Sequence, residues 1–544
     1  MFIFQQKVLA YLLLLSASWG VFACHSAPII ERPKPLRQDP QIQAYFNYNP
    51  AQDAVYREPY REIDRPGDNL EQLIIAQIQA AQSTIDIAIQ EFRLPKIAQA
   101  LVKKYQAGVQ VRVILENTYN FSWTELAQSE VDALERRDRD RYLDAIALID
   151  QNQDGKLSSQ EIASRDAIVI LNRGGVPLID DTEDGSKGSG LMHHKFVVID
   201  NRMVIVTSAN FTTSDVHGDI LNPQTRGNAN NLLKIESSEA AKIFTEEFNL
   251  MWGDGPKGKL NSRFGLNKPF RLPETLKVGN SSLIIQFSPS SKTLNWEQTS
   301  NGLIGQTLAN AEQAVDLALF VFSEQPLADI LQNRHQEGIA IRALIDPQFA
   351  FRSYSEGLDL LGVALSQDCE YEQANQPWTM PLETVGIPNL IAGDKLHHKF
   401  GLVDDATLIT GSHNWSAAAN HLNDEALLIL ENPTIFAHYK REFERLYAHA
   451  RIGLSDRISQ KVTKDAEACS SKILQNKPTT QDSKININQA NQESLESLPG
   501  IGETLAQEII REREIKPFQS LEELQRVSGI GEKTVQKLKN QVTW

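Results

Sequence analysis

The 544-residue sequence predicts an α/β protein of two similar α/β/α halves packed face to face, followed by a small all-α domain. Three observations predict this. Residues 80–117, "AAQSTIDIAIQEFRLPKIAQALVKKYQAGVQVRVILEN", recur in pattern at 310–347 as a helix end, an apolar strand, an amphipathic helix, a glycine and a second apolar strand. In that match Asp86 pairs with Asp316 and Gly108 with Gly338. The stretch "LMHHKFVVID" at 191–200 returns as "KLHHKFGLVD" at 395–404. Near the C-terminus "LPGIG" and "VSGIG" lie 29 residues apart, each between helical stretches.

Taken in chain order, the sequence begins with Lys7 and the sixteen-residue apolar run 8–23. A membrane-spanning helix needs about 20 apolar residues, so this run reads as an export signal over 1–23. It ends in "VFAC", which resembles a lipoprotein cleavage box and makes Cys24 a candidate lipid anchor; plain signal cleavage is the alternative. Cys369 and Cys469 can pair outside the cytoplasm or stay free, which their spacing does not decide. The first half spans 40–253, a Pro/Gly/Lys-rich linker 254–280, the second half 281–449, a polar linker 450–483 and the tail 484–544. Each half opens with a short strand, at Ile42 and at Leu283. A formal charge of −15 excludes a chain that holds polyanions by bulk positive charge, so any such site must be local.

The two copies differ in length. Gly108 to His193 is 85 residues and Gly338 to His397 is 59, so the first copy carries 26 more. Within an insertion at about 123–168 lies "DQNQDGKLSSQE", residues 150–161, which satisfies the twelve-residue EF-hand loop. Asp150, Asn152, Asp154, Ser158 and Glu161 would offer side-chain oxygens, Lys156 its carbonyl, and Gly155 the sharp turn. That donor set suits Ca2+ in a structural or regulatory role. Helical sequence flanks it on both sides, "EVDALERRDRDRYLDAIALI" before and "SQEIASRDAIVIL" after.

The repeated motif has its own chemistry. On a buried strand side chains alternate, so His193 and Lys195 share a face while His194 points away. Asp200, of opposite parity, is expected to orient the motif. A second strand carries Ser208 and Asn210 at the same spacing. The other copy repeats the set with His397, Lys399, Asp404, Ser412 and Asn414. Two imidazoles brought face to face can supply a nucleophile and a general acid, and the lysines and asparagines can hold phosphoryl oxygens. The lysines supply charge that other phosphodiesterases draw from metal ions.

These residues resemble the phospholipase D superfamily, over residues 42–447. The resemblance implies a duplicated HKD motif, a covalent phosphohistidine and no metal requirement in catalysis, with both catalytic halves in one monomeric chain. It implies little about substrate, since members cleave phospholipids, DNA and other phosphodiesters. Members carry N-x-E after each motif. Here the second copy has Asn423 and Glu425, whereas the first has Asn230 where the acid would stand. Family precedent makes His193 the nucleophile and His397 the acid, while His194 and His398, on the opposite face of their strands, are expected to serve packing.

The tail resembles the tandem helix-hairpin-helix domain of exported competence-type DNA receptors. Gly500, Ile501, Gly502, Gly529, Ile530, Gly531 and Lys533 are its candidate DNA-binding residues, through loop backbone amides and free helix N–H groups. From Lys484 onward eight Lys/Arg face nine Asp/Glu, so duplex would be held without base specificity. The expectation is an exported, membrane-anchored nuclease with DNA as substrate and tail ligand. The alternatives are a phospholipase D acting on lipids such as phosphatidylcholine and a DNA-uptake protein. A lipase should show an apolar rim, for which "NWSAAAN" at 414–420 is the nearby sequence.

Overall fold

The computed structural model describes residues 32–185, 190–372, 374–475 and 484–544, the last stretch apart from 497, 499–500, 528 and 540. Cys24 and Gly500 lie outside the described residues. The chain divides into two compact units, up to Ala466 and from Glu467 onward.

The main sheet of the first half has seven strands. Its strands are β1 (Ile42–Phe46), β2 (Thr84–Ile89), β3 (Gln110–Leu115), β4 (Leu178–Asp180), β5 (Lys195–Ile199), β6 (Met203–Thr207) and β7 (Asn231–Glu236), in the order β1-β7-β6-β5-β2-β3-β4. Strands β2, β3 and β4 run parallel, joined by helix α1 (Leu70–Ala80) before and α2 (Pro95–Gln106) between, while β5 runs antiparallel to β2. The insertion holds α3 (Arg136–Ile149) and α4 (Ser159–Arg165), α5 (Ala167–Gly174) follows it, and α6 (Ser238–Trp252) closes the half.

The second half repeats the order with two added edge strands. Its strands are β8 (Glu274–Val278), β9 (Ser281–Ser288), β10 (Ala314–Leu319), β11 (Ala340–Ile345), β12 (Val385–Ile387), β13 (Lys399–Val403), β14 (Thr407–Gly411), β15 (Glu425–Glu431) and β16 (Arg451–Ile452). They run β8-β9-β15-β14-β13-β10-β11-β12-β16. The register is the same in both copies: Ala88 faces Phe196 as Ala318 faces Phe400. Helices α7 (Ser300–Ala309), α8 (Gln325–Gln336) and α9 (Pro433–Tyr447) match α1, α2 and α6.

Alternation along the strands sorts the core into layers. Ile85, Ile87 and Ile89 pack in the outer core of the first half, and Ala88 in a central core. Val315, Leu317 and Leu319 do the same for the second half, with Ala318 central. The central core takes Phe196, Phe244 and Phe248 from one half and Phe400, Tyr439 and Phe443 from the other, which fixes the halves face to face. Each such ring contributes roughly 1.5–3 kcal/mol when fully buried.

The matched acids have one task in both halves. Asp86 accepts two hydrogen bonds from Arg112 at 2.7 and 2.8 Å, and Asp316 two from Arg342 at 2.7 and 2.9 Å. Each guanidinium also lies over rings of the closing helix, Arg112 over Phe248 and Trp252, Arg342 over Phe443 and Tyr447. Gly108 and Gly338 both take left-handed φ, 89° and 91°, where the chain turns from helix into strand.

Both expected linkers carry regular structure. The stretch 254–280 contains β8, which pairs with β9 through a two-residue turn whose first position, Gly279, has φ 60° as a type II′ hairpin requires. Within 450–483 the helix α10 (Asp456–Gln475) forms, and Ile458, Val462 and Cys469 recur along it at helical spacing. The helical sequence around the calcium-type loop is also broken more often than expected. A short helix Gln128–Ala133 ends before α3, and Asp166 stops α4 and caps α5 by accepting from the Ile168 and Val169 N–H groups.

The second unit packs Ile487, Leu495, Ala506, Ile509, Phe518, Leu524, Val535 and Leu538 around one core. Its main helices are α11 (Glu503–Ile515) and α12 (Glu532–Leu538).

Candidate active site

The pseudo-twofold relation of the halves crosses the two motifs. His193 N–H donates to the Asp424 carbonyl at 3.0 Å, and His397 N–H to the Ala229 carbonyl at 3.1 Å. The return bonds run from Asp424 to Leu191 at 2.9 Å and from Ala229 to Lys395 at 2.7 Å. Each histidine-bearing segment is thereby pinned to the opposite half.

The side chains cross in the same way. His193 Nδ1 donates to Glu425 Oε2 at 2.7 Å, and His397 Nδ1 to the Asn230 amide oxygen at 3.0 Å. With both Nδ1 atoms occupied, each ring keeps Nε2 for chemistry. Glu425 and Asn230 are fully buried, and each histidine is 7% exposed. Both line one cavity of about 850 Å3, together with Gln90, Glu91, Asn210, Asp215, Phe320 and Lys395. The residues that follow the motifs hold these partners. Ser208 Oγ donates to Asn230 Oδ1 at 2.7 Å, and Ser412 Oγ accepts from Ala426 N–H, the residue after Glu425, at 3.0 Å.

The lysines are buried, at 1% exposure each. Lys195 Nζ donates to the His193 carbonyl at 2.9 Å and to Gln90 Oε1 at 3.2 Å, and Lys399 Nζ to the His397 carbonyl at 2.7 Å. Burial lowers the Lys195 ammonium to about 8, against the opposing pull of Glu425 and Asp215. Burial and the neighbouring Lys195 charge lower Lys399 to about 7. Burial and the two lysines hold both imidazoles well below the ordinary histidine range. A cavity with this much suppressed positive charge is matched to an anion.

Asn210 and Asn414 each leave a buried amide oxygen unpaired. Asp200 and Asp404 stand away from the cavity and accept strand-entry N–H groups: Asp200 from Gln82, Ser83 and Thr84, Asp404 from Glu312, Gln313 and Ala314. Both have φ 53°. His194 and His398 belong to the packing. Their Nε2 atoms bond Glu247 and Glu442, each at 3.0 Å, and those acids pair with Arg271 and Arg445.

Asp215 was not marked by the sequence. It is 3% exposed, accepts from Asn210 N–H at 2.8 Å and Asn228 Nδ2 at 2.6 Å, and brings a carboxylate oxygen 3.6 Å from His397 Nδ1. It supplies the negative charge that Asn230 lacks. Its local sequence, "TTSDVHGD", has no spacing that would reveal it; the one available signal was the missing acid at Asn230.

In the calcium-type loop Gly155 has φ 77°, and the donors close the loop on itself. Asp150 Oδ2 accepts from Gly155 N–H at 2.9 Å, Asn152 Oδ1 from Asp154 N–H at 2.9 Å, and Asp154 Oδ1 from Lys156 N–H at 2.8 Å. Ser158 and Glu161 form a capping box on α4. Asp150 Oδ1 is buried without a partner, which fits a loop built for a cation. Among the described residues no three His, Cys, Asp or Glu side chains converge as a metal cluster.

In the tail Ile501 and Ile530 are each 4% exposed and belong to the core, so they can offer DNA only backbone. Gly502 and Gly531 are helix N-caps at φ −100° and −101°, and Gly529 alone of the described loop glycines is left-handed, at φ 97°. Lys533 stands in the first turn of α12.

This geometry agrees with the sequence comparisons. The family described as "Cardiolipin synthase, PLD-like domain" matches residues 74–252 and 304–447, and a helix-hairpin-helix motif matches 480–543. The chain belongs to the phospholipase D-like family and carries a helix-hairpin-helix motif at its C-terminus. It is 30% identical over 142 residues to a mitochondrial cardiolipin hydrolase of Xenopus tropicalis, covering 26% of this chain and 57% of that protein. The chain thus spans about half the length of the curated relatives it matches. The tail is 43% identical over 60 residues to ComE operon protein 1 of Bacillus subtilis (strain 168), 11% of this chain and 29% of that protein. The phosphatidylserine synthase structure of Haemophilus influenzae aligns at 13% identity with a TM-score of 0.47, over 82% of this chain and 97% of that one.

Proposed function

We propose that the protein is an exported phosphodiesterase that hydrolyses nucleic-acid phosphodiesters through a covalent phosphohistidine. The carrying observation is the pair of imidazoles in one cavity, each fixed through Nδ1 by a residue of the other half. His193 Nε2 attacks phosphorus and the P–O bond to the leaving group breaks as His397 Nε2–H protonates that oxygen. Water then attacks the phosphohistidine, gives its proton to His397, and the P–N bond breaks. Glu425 behind His193 stabilises the positive charge of the phosphorylated ring, which a neutral amide does less well, so the nucleophile role goes to His193. Asp215 and the substrate's own anion raise the proton affinity of His397 against its burial. Lys195, Lys399, Asn210 and Asn414 hold the non-bridging oxygens.

Nucleic acid as substrate is supported by the helix-hairpin-helix tail and its similarity to a ComE operon protein. Export is supported by the apolar run at 8–23. Ca2+ at Asp150, Asn152, Asp154, the Lys156 carbonyl, Ser158 and Glu161 would order the turn between α3 and α4. The phospholipid reading is favoured by the cardiolipin hydrolase relatives and by Leu143 and Leu221, 46% and 60% exposed at the cavity. It gains nothing from 414–420, where Trp415 is fully buried.

The test is plasmid nicking by the purified chain in EDTA, beside His193→Ala and a phospholipid hydrolysis assay with phosphatidylcholine and cardiolipin. Nicking that the variant lacks supports the nuclease. Lipid turnover with intact plasmid overturns it in favour of the phospholipase.

A further inference from the structure

The excess sequence of the first half has a defined place. Helix α3 runs along the catalytic cavity and contributes Arg136, Arg137, Asp140, Arg141, Asp144 and Leu148 to its lining. It is fixed there by bonds to the scaffold. Arg141 Nη2 bonds Glu91 Oε2 at 2.5 Å with its guanidinium over Tyr119, and Asp144 Oδ1 accepts from Leu221 N–H at 2.9 Å. Arg93, the other cavity arginine of this half, is taken up by Glu91 and by the carbonyls of Tyr119 and Phe121.

Arg136 and Arg137 are different. They are exposed at the cavity rim, and neither has an acid within ion-pair reach among the described residues. Lys395, at the same cavity from the opposite half, makes no ion pair among the described residues either, with Asp215 and Asp346 acting on it only at longer range. Burial and then the Arg137 charge push its ammonium below the ordinary lysine value. Three cations, from two halves that meet only in the folded chain, are thus gathered beside the histidines, and among the described residues none of them is held in an ion pair. Such a cluster costs free energy in the empty protein, and an anionic ligand offsets that cost.

We propose that Arg136 and Arg137 on α3, with Lys395 facing them, form a phosphate-backbone subsite that holds the phosphates flanking the scissile one. The inserted helix is then a substrate-recognition arm, and the preferred substrate is a chain of phosphodiesters. A single diester engages the histidines, lysines and asparagines and leaves this rim unfilled. This inference rests on the nuclease reading above and deepens it.

The test compares the full chain with Arg136→Ala/Arg137→Ala and with Lys395→Ala on two substrates: a short single-stranded oligonucleotide and bis(p-nitrophenyl) phosphate, which has one phosphate. The expected result is an oligonucleotide kcat/KM that falls at least about tenfold further than the bis(p-nitrophenyl) phosphate kcat/KM, as for two lost phosphate contacts. The slope of log KM for the oligonucleotide against log salt should flatten by about 0.7 per contact removed. A wild-type chain that cuts the oligonucleotide, with variants that lower both substrates equally or neither, overturns the subsite and leaves the nuclease reading standing. A wild-type chain that turns over bis(p-nitrophenyl) phosphate but not the oligonucleotide overturns both. Refolding damage in the double variant lowers both substrates together and leaves the salt slope unchanged, so it cannot imitate the expected result; Arg136→Gln/Arg137→Gln repeats the test with helix-compatible side chains.

Discussion

His193 and His397 have the same local sequence and different partners, a buried carboxylate for one and a buried amide for the other. His193→Ala and His397→Ala are each expected to abolish turnover in a phosphodiester assay; near-normal rates in either would remove the paired-histidine mechanism. Glu425→Gln keeps the hydrogen bond and removes the charge, and should lower kcat by about 10²-fold or more. A rate within a few-fold of wild type would show that charge behind the nucleophile is unimportant. The lysines set the pH dependence. Burial lowers Lys399 to about 7 and Lys195 to about 8, so each loses its proton as pH rises through these values. Because the charged form holds the phosphoryl oxygen, kcat/KM should decline on an alkaline limb between about pH 7 and 8. A profile flat to pH 10 would dissociate the lysines from substrate binding. At this scale the His, Lys, Ser and Asn positions were legible through their fixed spacing. Asp215 and Gln90 stayed hidden, because their roles depend on loops that meet only in three dimensions.

Among the elements, the matched pairs Asp86–Arg112 and Asp316–Arg342 tie the central strands to the closing helices. Asp86 is almost fully buried, so Asp86→Ala strands a guanidinium and should cost about 3 kcal/mol, read as a lower urea midpoint. The inserted helices answer to a different test. If the 150–161 loop takes Ca2+, the ion should raise Tm for the intact chain and lose that effect in Asp150→Ala; an unchanged shift in the variant places the ion elsewhere. The sequence announced this helix-loop-helix by its oxygen spacing and glycine. It did not announce that α3 would line the catalytic cavity, since nothing in a linear pattern states which way an insertion folds back. Both linkers carry regular structure that composition alone did not announce, although Gly279 and the helical spacing along α10 were there to read.

For the whole molecule, the division of labour is between a catalytic unit and a helix-hairpin-helix unit. Truncation after residue 475 should leave hydrolysis of a small phosphodiester in place while weakening retention on DNA-cellulose; equal retention would release the tail from a DNA role. Duplication, motif and tail were determined by the sequence alone, because repeats and fixed spacings survive as linear patterns and strand alternation follows from backbone geometry. Which residue stands behind which histidine was decided only by the tertiary structure. Glu425 serves the histidine of the other half and Asn230 does the same in return, a crossing imposed when the central aromatic core of Phe196, Phe244, Phe400 and Tyr439 closes the halves on each other. Contacts of that kind join residues more than 160 positions apart, and hydrophobic burial, not local spacing, brings them together.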